Sequence, residues 1–226
     1  MDISFNNKKV FLTGGGGTIG SSIKTFFLNN GAYVDAPGSD ELDLSSIGAV
    51  KKYFDLFEGS PDIFIHCAGI NKLSGIEEIE DEVIKKVFQV NCFSAVEVLK
   101  RVVPAMRKKQ FGRIVIISSL YGIVSRERRV PYSSSKHALN GLVKSVALET
   151  AADNVLINAV APGYIKSKMT DSSLSKNEQK EILKTIPTGR FQMAEEIAHM
   201  CGFLCSEYNQ SMTGQVFPVD GGFLCR

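Results

Sequence analysis

Several features are missing from this chain, and each absence removes a class of reading. No C-x-x-C occurs among its five cysteines. An odd number without that spacing indicates neither a disulfide framework nor a zinc site, so no metal is expected and the thiols read as reduced and cytoplasmic. No apolar run approaches the ~20 residues of a membrane span, and the start, MDISFNNKK, lacks an apolar stretch of the leader type. Neither sign of charge dominates: 26 Lys and Arg against 24 Asp and Glu give +2 at pH 7. That balance supplies no bulk attraction to nucleic acid or to an anionic membrane. Repeats, low-complexity tracts and an evident linker are absent too. At 226 residues the chain is expected to form one domain, 1–226, with a sizeable core.

What is present is a succession of short apolar runs separated by helical periodicity. Strands are expected over 10–13, 32–36, 41–44, 62–66, 114–117, 156–160 and 216–219. Helices are expected from the glycines to about 28, over 47–57, 77–109, 132–152 and 194–205. Repeated strand, helix, strand units imply an α/β fold with a parallel sheet and ligands at the strands' carboxyl ends. Strands two and three lie too close in sequence for a crossover helix between them. The long third helix breaks or bends near Asn91, a polar residue among Val87, Val90, Val96 and Leu99. Asn91 can cap or kink the helix, or hold a water. The polar stretch 166–180 reads as a mobile flap over the site.

Two stretches carry chemistry. Directly after the first strand stand Gly14, Gly15, Gly16, Gly17, Thr18, Ile19 and Gly20, leading into a helix. Glycines let the backbone turn tightly and approach a pyrophosphate, which the free N–H groups and dipole of the helix then stabilise. No Gly-Lys-Ser/Thr follows, which excludes a P-loop. The second stretch runs from Ser118 to Asn140. Tyr132 and Lys136 are four residues apart, on one helix face. Lowering a phenol pKa from ~10 to about 7 takes roughly 4 kcal/mol, part of which a fixed ammonium supplies. Ser119 closes the strand upstream. A serine donor and a tyrosine acid/base converging there suit a carbonyl that becomes an alkoxide. The same Tyr-x-x-x-Lys spacing recurs at Tyr164 and Lys168.

Taken in order, TGGGGTIG at 13–20, Asp43-Leu44, HCAG at 66–69, Asn91, Ser119, Tyr132 with Lys136, PGYIKS from 162 and TGQVFPVDGG from 213 resemble the short-chain dehydrogenase/reductase family, single-domain type, over nearly the whole chain. The resemblance is nearest to 3-oxoacyl-carrier-protein reductases. It implies a Rossmann-like, doubly wound sheet of about seven parallel strands with helices on both faces, assembled as a homodimer or homotetramer. It further implies that Tyr132 exchanges the proton, that Ser119 hydrogen-bonds the substrate oxygen, and that Lys136 binds the ribose and depresses the tyrosine pKa. Asn91 would hold a relay water. Gly14, Gly16, Gly17, Thr18, Ile19 and Gly20 would cradle the pyrophosphate; Asp43 and Leu44 would meet the adenine. Cys67, Ala68 and Gly69 would line the ribose, and Pro162, Ile165 and Ser167 would position the nicotinamide.

Three positions depart from the family pattern. Thr18 replaces the middle glycine, so the loop also reads TGxxGxxG, the spacing of the nucleotide-sugar epimerase and dehydratase branch. The helix between strands two and three is missing. His66-Cys67 replaces Asn-Asn, and His66 reads as a packed strand-end residue. At the end of the second strand Pro37-Gly38-Ser39 offers neither the carboxylate of an NAD site nor an arginine; Asp35 reads as interior to the strand, and Ser39 suits either cofactor. With no carboxylate in the repelling position, NADP(H) is favoured over NAD(H). The expected activity is interconversion of a ketone and a secondary alcohol. Arg126, Arg128 and Arg129 near the mouth favour an anionic substrate, a 3-oxoacyl thioester or a keto-sugar. The alternatives are an epimerase or dehydratase of nucleotide sugars and a cofactor-binding sensor or scaffold without turnover.

Overall fold

The computed structural model describes residues 3–57, 59–167 and 175–225. Period-two alternation along the strands divides the core between two faces of one sheet. Phe11, Phe64, Ile114, Ile116, Ile157 and Ala159 point to one face, and Val10, Leu12, Ile63, Ile65, Val115, Ile117 and Val160 to the other. Because both faces are covered, the central strands are apolar on both sides apart from His66, Arg113 and Asn158, which are buried as well.

The strands are β1 (Lys9–Thr13), β2 (Tyr33–Asp35), β3 (Ile63–His66), β4 (Gly112–Ile117), β5 (Val155–Pro162) and β6 (Val216–Val219). All pair in parallel in the order β2-β1-β3-β4-β5-β6. On the first face lie helices α2 (Ile47–Asp55), α4 (Ser94–Lys109) and α5 (Val130–Thr150), burying Val50, Phe54, Val98, Val102, Met106, Leu139 and Val143. On the other lie α1 (Thr18–Asn29) and the helix Ala194–Cys205, burying Ile23, Phe27, Ile197, Cys201 and Leu204. The chain order changes direction between β1 and β3. Ligands of such sheets bind in the crevice at that point.

The sheet has six strands among the described residues, not about seven, because 41–44 is not a strand. Leu42 and Leu44 have strand spacing, yet turn chemistry prevails around them. Leu42 N donates to Gly38 O at 2.9 Å, and Asp43 Oδ1 accepts from Ser45 N at 2.9 Å and Ser45 Oγ at 2.6 Å. Ser46 then caps α2 by accepting from Ala49 N at 3.2 Å. Leu42 is buried and Leu44 packs on the same core, so both side chains serve the fold from a turn. As expected, no helix separates β2 from this segment; α2 alone makes the crossover to β3.

The long helix divides as its polar residue suggested. Helix α3 (Asp81–Phe88) runs into α4 through a π-turn, Gln89–Phe93, that contains Asn91. Such turns add a residue to the helical ladder and occur mostly at functional sites. Of the expected flap, 168–174 lie outside the described residues, and with them Lys168. Its distal part is ordered as helix α6 (Lys176–Thr185), begun by a capping box in which Glu178 N donates to Ser175 Oγ and Ser175 N to Glu178 Oε2. The helix Ala194–Cys205 is thus α7. Among the described residues no helix is long and apolar enough to cross a membrane.

Candidate active site

Parallel pairing puts the ends of β1, β3, β4 and β5 on one edge of the sheet, and the chain leaves each of them into a segment singled out from the sequence. Gly14 follows β1 at φ +74°, a conformation that favours glycine. A Cβ there would stand 2.6 Å from Ala68 N, so the glycine loop lies directly on the Cys67, Ala68, Gly69 segment. Gly20 is closed in the same way, by Gly14 O. Gly16 instead faces open space, with nothing within 4 Å of where a Cβ would stand, and Gly17 is exposed. Helix α1 starts at Thr18 with no side-chain cap on Gly17 and no acidic residue in its first turn. An open glycine surface leading to an uncapped helix start fits a pyrophosphate. Thr18 is compatible with it, since that position is helical and needs no positive φ.

Ser39 and Asp43 are exposed on the turn after β2, and Leu44 O accepts from Gln89 Nε2 at 3.2 Å, tying the turn to the π-turn. Hydrogen bonds from Ser45 hold the Asp43 carboxyl below its usual range. Asp35 is the last residue of β2 rather than an interior one, and its carboxylate accepts from Tyr53 Oη on α2 at 3.5 Å. Burial raises the Asp35 pKa, and the tyrosine hydrogen bond acts the other way. At the far side of the edge, Pro162 ends β5, Ile165 bridges to Gln192, and Ser167 follows. Among the described residues Gln192 Oε1 has no partner; it is buried beside Gly163.

Between these flanks the remaining candidates meet. Ser119, extended and nearly buried, follows β4; its Oγ accepts from Tyr121 N at 3.1 Å. With that lone pair engaged, the hydroxyl proton is free to donate. Tyr132 stands half-buried in the first turn of α5, where Pro131 suits the helix start. The Ser119 side chain lies beside its phenol, close enough to act on its proton. Burial raises the Tyr132 pKa above its ordinary value, while the Ser119 hydroxyl and the Arg129 charge favour the phenolate. Lys136, one turn on, is 3% exposed; its Nζ donates to Ile117 O at 2.7 Å and lies 5.7 Å from the Tyr132 ring centroid. Burial pulls its pKa down to about 8. Asn91 completes the group: Nδ2 donates to Ile70 O and Ser135 Oγ, each at 3.0 Å, and Oδ1 accepts from Ile70 N at 2.8 Å. Ser135 Oγ in turn donates to Tyr132 O at 2.7 Å. Gly69 borders this network: a Cβ there would meet Lys136 Nζ at 3.4 Å and Asn91 Oδ1 at 3.5 Å, ordinary contact distances.

The sequence reading missed the groups that hold this set. Ser118 Oγ donates to Asn140 Oδ1 and Asn140 Nδ2 to Gly122 O, both at 2.7 Å, pinning the Ser119 turn against α5. The signal is a serine beside Ser119 and an asparagine one turn beyond Lys136. At the mouth Tyr121 Oη and Tyr164 Oη are 2.7 Å apart, Arg126 lies beside both tyrosines, and the Arg129 guanidinium lies 5.0 Å from the Tyr121 ring centroid. Burial pushes the Tyr121 phenol up to about 12. Arg128 is drawn off to Glu78 at 3.3 Å. Cys67, for its part, is an unreactive neighbour, its thiol pushed up to about 12 by burial.

Known proteins resemble this chain along nearly its whole length. Residues 36–224 match the family described as Enoyl-(Acyl carrier protein) reductase. A 3-oxoacyl-(acyl-carrier-protein) reductase of Rickettsia felis is 33% identical over 239 residues, covering 98% of this chain and 99% of the relative. That of Salmonella typhimurium is 30% identical over 97% of this chain and 98% of its own. Among solved structures, a protein assigned as 2-deoxy-d-gluconate 3-dehydrogenase from Agrobacterium tumefaciens, with bound NADP, superposes with a TM-score of 0.92 at 28% identity, covering 100% of this chain and 99% of its own. Matched along nearly its full length in sequence and in fold, the chain belongs to the short-chain dehydrogenase/reductase family of NAD(P)-dependent oxidoreductases acting on CH–OH and C=O groups, and resembles its 3-oxoacyl-(acyl-carrier-protein) reductases.

Proposed function

We propose that this chain interconverts a ketone and a secondary alcohol through a proton path made by Ser119, Tyr132, Lys136 and Asn91. The observation that carries the reading is the meeting of the Ser119 hydroxyl and the Tyr132 phenol at the end of β4, with buried Lys136 and Asn91 behind them. A nicotinamide cofactor, when bound, supplies or accepts the hydride. Gly14, Gly16, Gly17, Thr18, Ile19 and Gly20 would hold its pyrophosphate, Ser39, Asp43 and Leu44 its adenosine, and Cys67, Ala68 and Gly69 the nicotinamide ribose. Pro162, Ile165 and Ser167 would seat the nicotinamide itself, with Gln192 Oε1 nearby as an acceptor. In the reduction direction Ser119 donates to the carbonyl oxygen and Tyr132 gives its proton as negative charge develops there. Proton transfer of this kind is worth about 10²–10⁴ in rate. The high phenol pKa keeps the proton in place until the oxygen needs it. Tyr132→Phe removes the hydroxyl alone. It should lower turnover of a ketone panel by about 10²–10⁴ with cofactor affinity within about threefold; wild-type turnover would sink the reading.

The substrate we favour is anionic, a 3-oxoacyl thioester or a keto-sugar acid, because Arg126 and Arg129 stand over the Tyr121 and Tyr164 pair beside the reacting oxygen. Arg126→Ala should raise KM for anionic ketones about tenfold and leave that of neutral ketones in place. The cofactor reading remains NADP(H) ahead of NAD(H), since the Asp35 carboxylate is turned to Tyr53. The margin is narrow: residues 31–46 contain no Lys or Arg to meet a 2′-phosphate. Reduced thiols at all five cysteines suit a cytoplasmic enzyme. A homodimer or homotetramer would cover apolar surface such as Leu148 of α5, 89% exposed in the single chain.

A further inference from the structure

His66 ends β3 with no exposed surface and with both ring nitrogens engaged. Nε2 lies 3.2 Å from the main-chain oxygen of Asn91, inside the π-turn, and Nδ1 lies 2.9 Å from Thr13 Oγ1, at the residue before the glycine loop. A carbonyl oxygen only accepts, so Nε2 carries the hydrogen. Nδ1 then holds a lone pair, and the Thr13 hydroxyl donates to it. Thr13 Oγ1 faces Ala68 N at 3.5 Å on its other side. The result is one directed chain of donors, from Ala68 through Thr13 and His66 to the carbonyl of Asn91.

The π-turn receives donors both from the helix and from outside it. Ser94 N reaches back five residues to Gln89 O, and Ser94 Oγ donates to Val90 O at 2.7 Å. The next carbonyl, that of Asn91, is served by His66. The Asn91 side chain is the one that reaches Ser135, and through Ser135 the main chain of Tyr132. A shift of the bulge is therefore a shift of the groups behind the phenol.

We infer that His66 is a positioning residue: as the Nε2–H tautomer it ties the π-turn carbonyl to the end of β1, and so sets where Asn91 and Ser135 stand relative to Tyr132 and Lys136. This rests on the proton path proposed above. The ring stays neutral in this role, its pKa pulled down to about 3 by burial first and by the Lys136 charge second. A neutral ring is what keeps one nitrogen as acceptor and the other as donor.

Three substitutions separate the two bonds. In His66→Gln the terminal amide nitrogen stands close to the place of Nε2 and still donates to Asn91 O. In His66→Asn the shorter amide reaches Thr13 but not Asn91, and in His66→Leu neither bond survives. His66→Gln should keep kcat within about threefold, whereas Asn and Leu should lose about 10–100-fold, the scale set by small misplacements of reacting groups. KM and cofactor affinity should stay within about threefold in all three. The alkaline limb of the kcat profile should move in Asn and Leu and return in Gln. Nitrogen-15 spectra of the cofactor-free protein should show a bare Nδ1 and a protonated Nε2. The inference is overturned by the opposite tautomer, by a folded Asn variant with wild-type kcat and pH limb, or by a Gln variant no better than Asn. Should Leu not fold, the Gln and Asn pair decides. Loss of activity in Tyr132→Phe with normal His66 variants removes only the positioning role; normal activity in Tyr132→Phe removes the proton path itself.

Discussion

The two sides of the sheet are built to different standards. Around the ends of β3, β4 and β5 Tyr132 is half-buried and the other proposed groups are buried and fixed by hydrogen bonds to main chain or side chain: Asn91, Ser119 and Lys136 are 0%, 7% and 3% exposed. At the β2 edge the strand is three residues long, Tyr33 is 66% exposed, and the turn that follows displays its polar side chains to solvent. A proton path loses rate when its groups drift by a fraction of an ångström. A surface that offers main chain and a few hydroxyls to an extended cofactor tolerates a shorter, plainer edge. Among the described residues the tolerant side has a three-residue strand and no helix between it and the turn at 41–44, while the demanding side holds the ordered network.

The sharpest way to break this contrast is at the point where the two sides join. Gly14→Ala puts a methyl 2.6 Å from Ala68 N in a backbone conformation at φ +74°. It should destabilise the fold by about 2–4 kcal/mol and weaken cofactor binding on the order of 100-fold, measured by denaturant titration and by quenching of cofactor fluorescence. A middle-sized effect tests the demanding side alone. Lys136 loses its proton near pH 8, so kcat/KM for reduction should fall about tenfold per pH unit above that value. Stability takes the opposite sign there: between about 8 and 10.5 the unfolded chain holds the proton that the folded one has released, and stability rises with pH. On the acid side His66 is neutral down to about pH 3 against 6.5 in the unfolded chain, so stability present above 6.5 is lost as pH falls toward 3. A flat profile over both windows would mean that neither group is buried as described. The smallest effect belongs to the β2 side. Ser46→Ala removes the cap of α2 and should cost about 1 kcal/mol by thermal or urea unfolding, with kcat unchanged.

Much of this is legible in the sequence because the residues concerned obey local rules. Buried parallel strands are apolar runs, the glycine loop sits between a strand and a helix, and a four-residue spacing puts Tyr132 and Lys136 on one face. The segment 41–44 misleads because Leu42 and Leu44 have the period of a strand, while the hydrogen bonds of Gly38, Asp43 and Ser45 decide for a turn. Asp35 reads as interior to its strand for want of a reliable strand end, since edge strands fray where no neighbour sets their length. The links through His66, Asn140 and the Tyr121–Tyr164 pair are hidden for a different reason. Each joins residues from 18 to 53 positions apart, and only the packing of the sheet and the helices brings them within reach.

The π-turn at Gln89–Phe93 also fixes a phase. One residue more than a regular helix would hold turns everything after it by ~100° about the axis. The faces of α3 and α4 that meet the sheet are therefore matched only with the extra residue in place. Removing it would swing Val98, Val102 and Met106 off the core they now fill. The proposed proton path and the seating of a whole helix are recorded in the same insertion, so neither can be altered without disturbing the other.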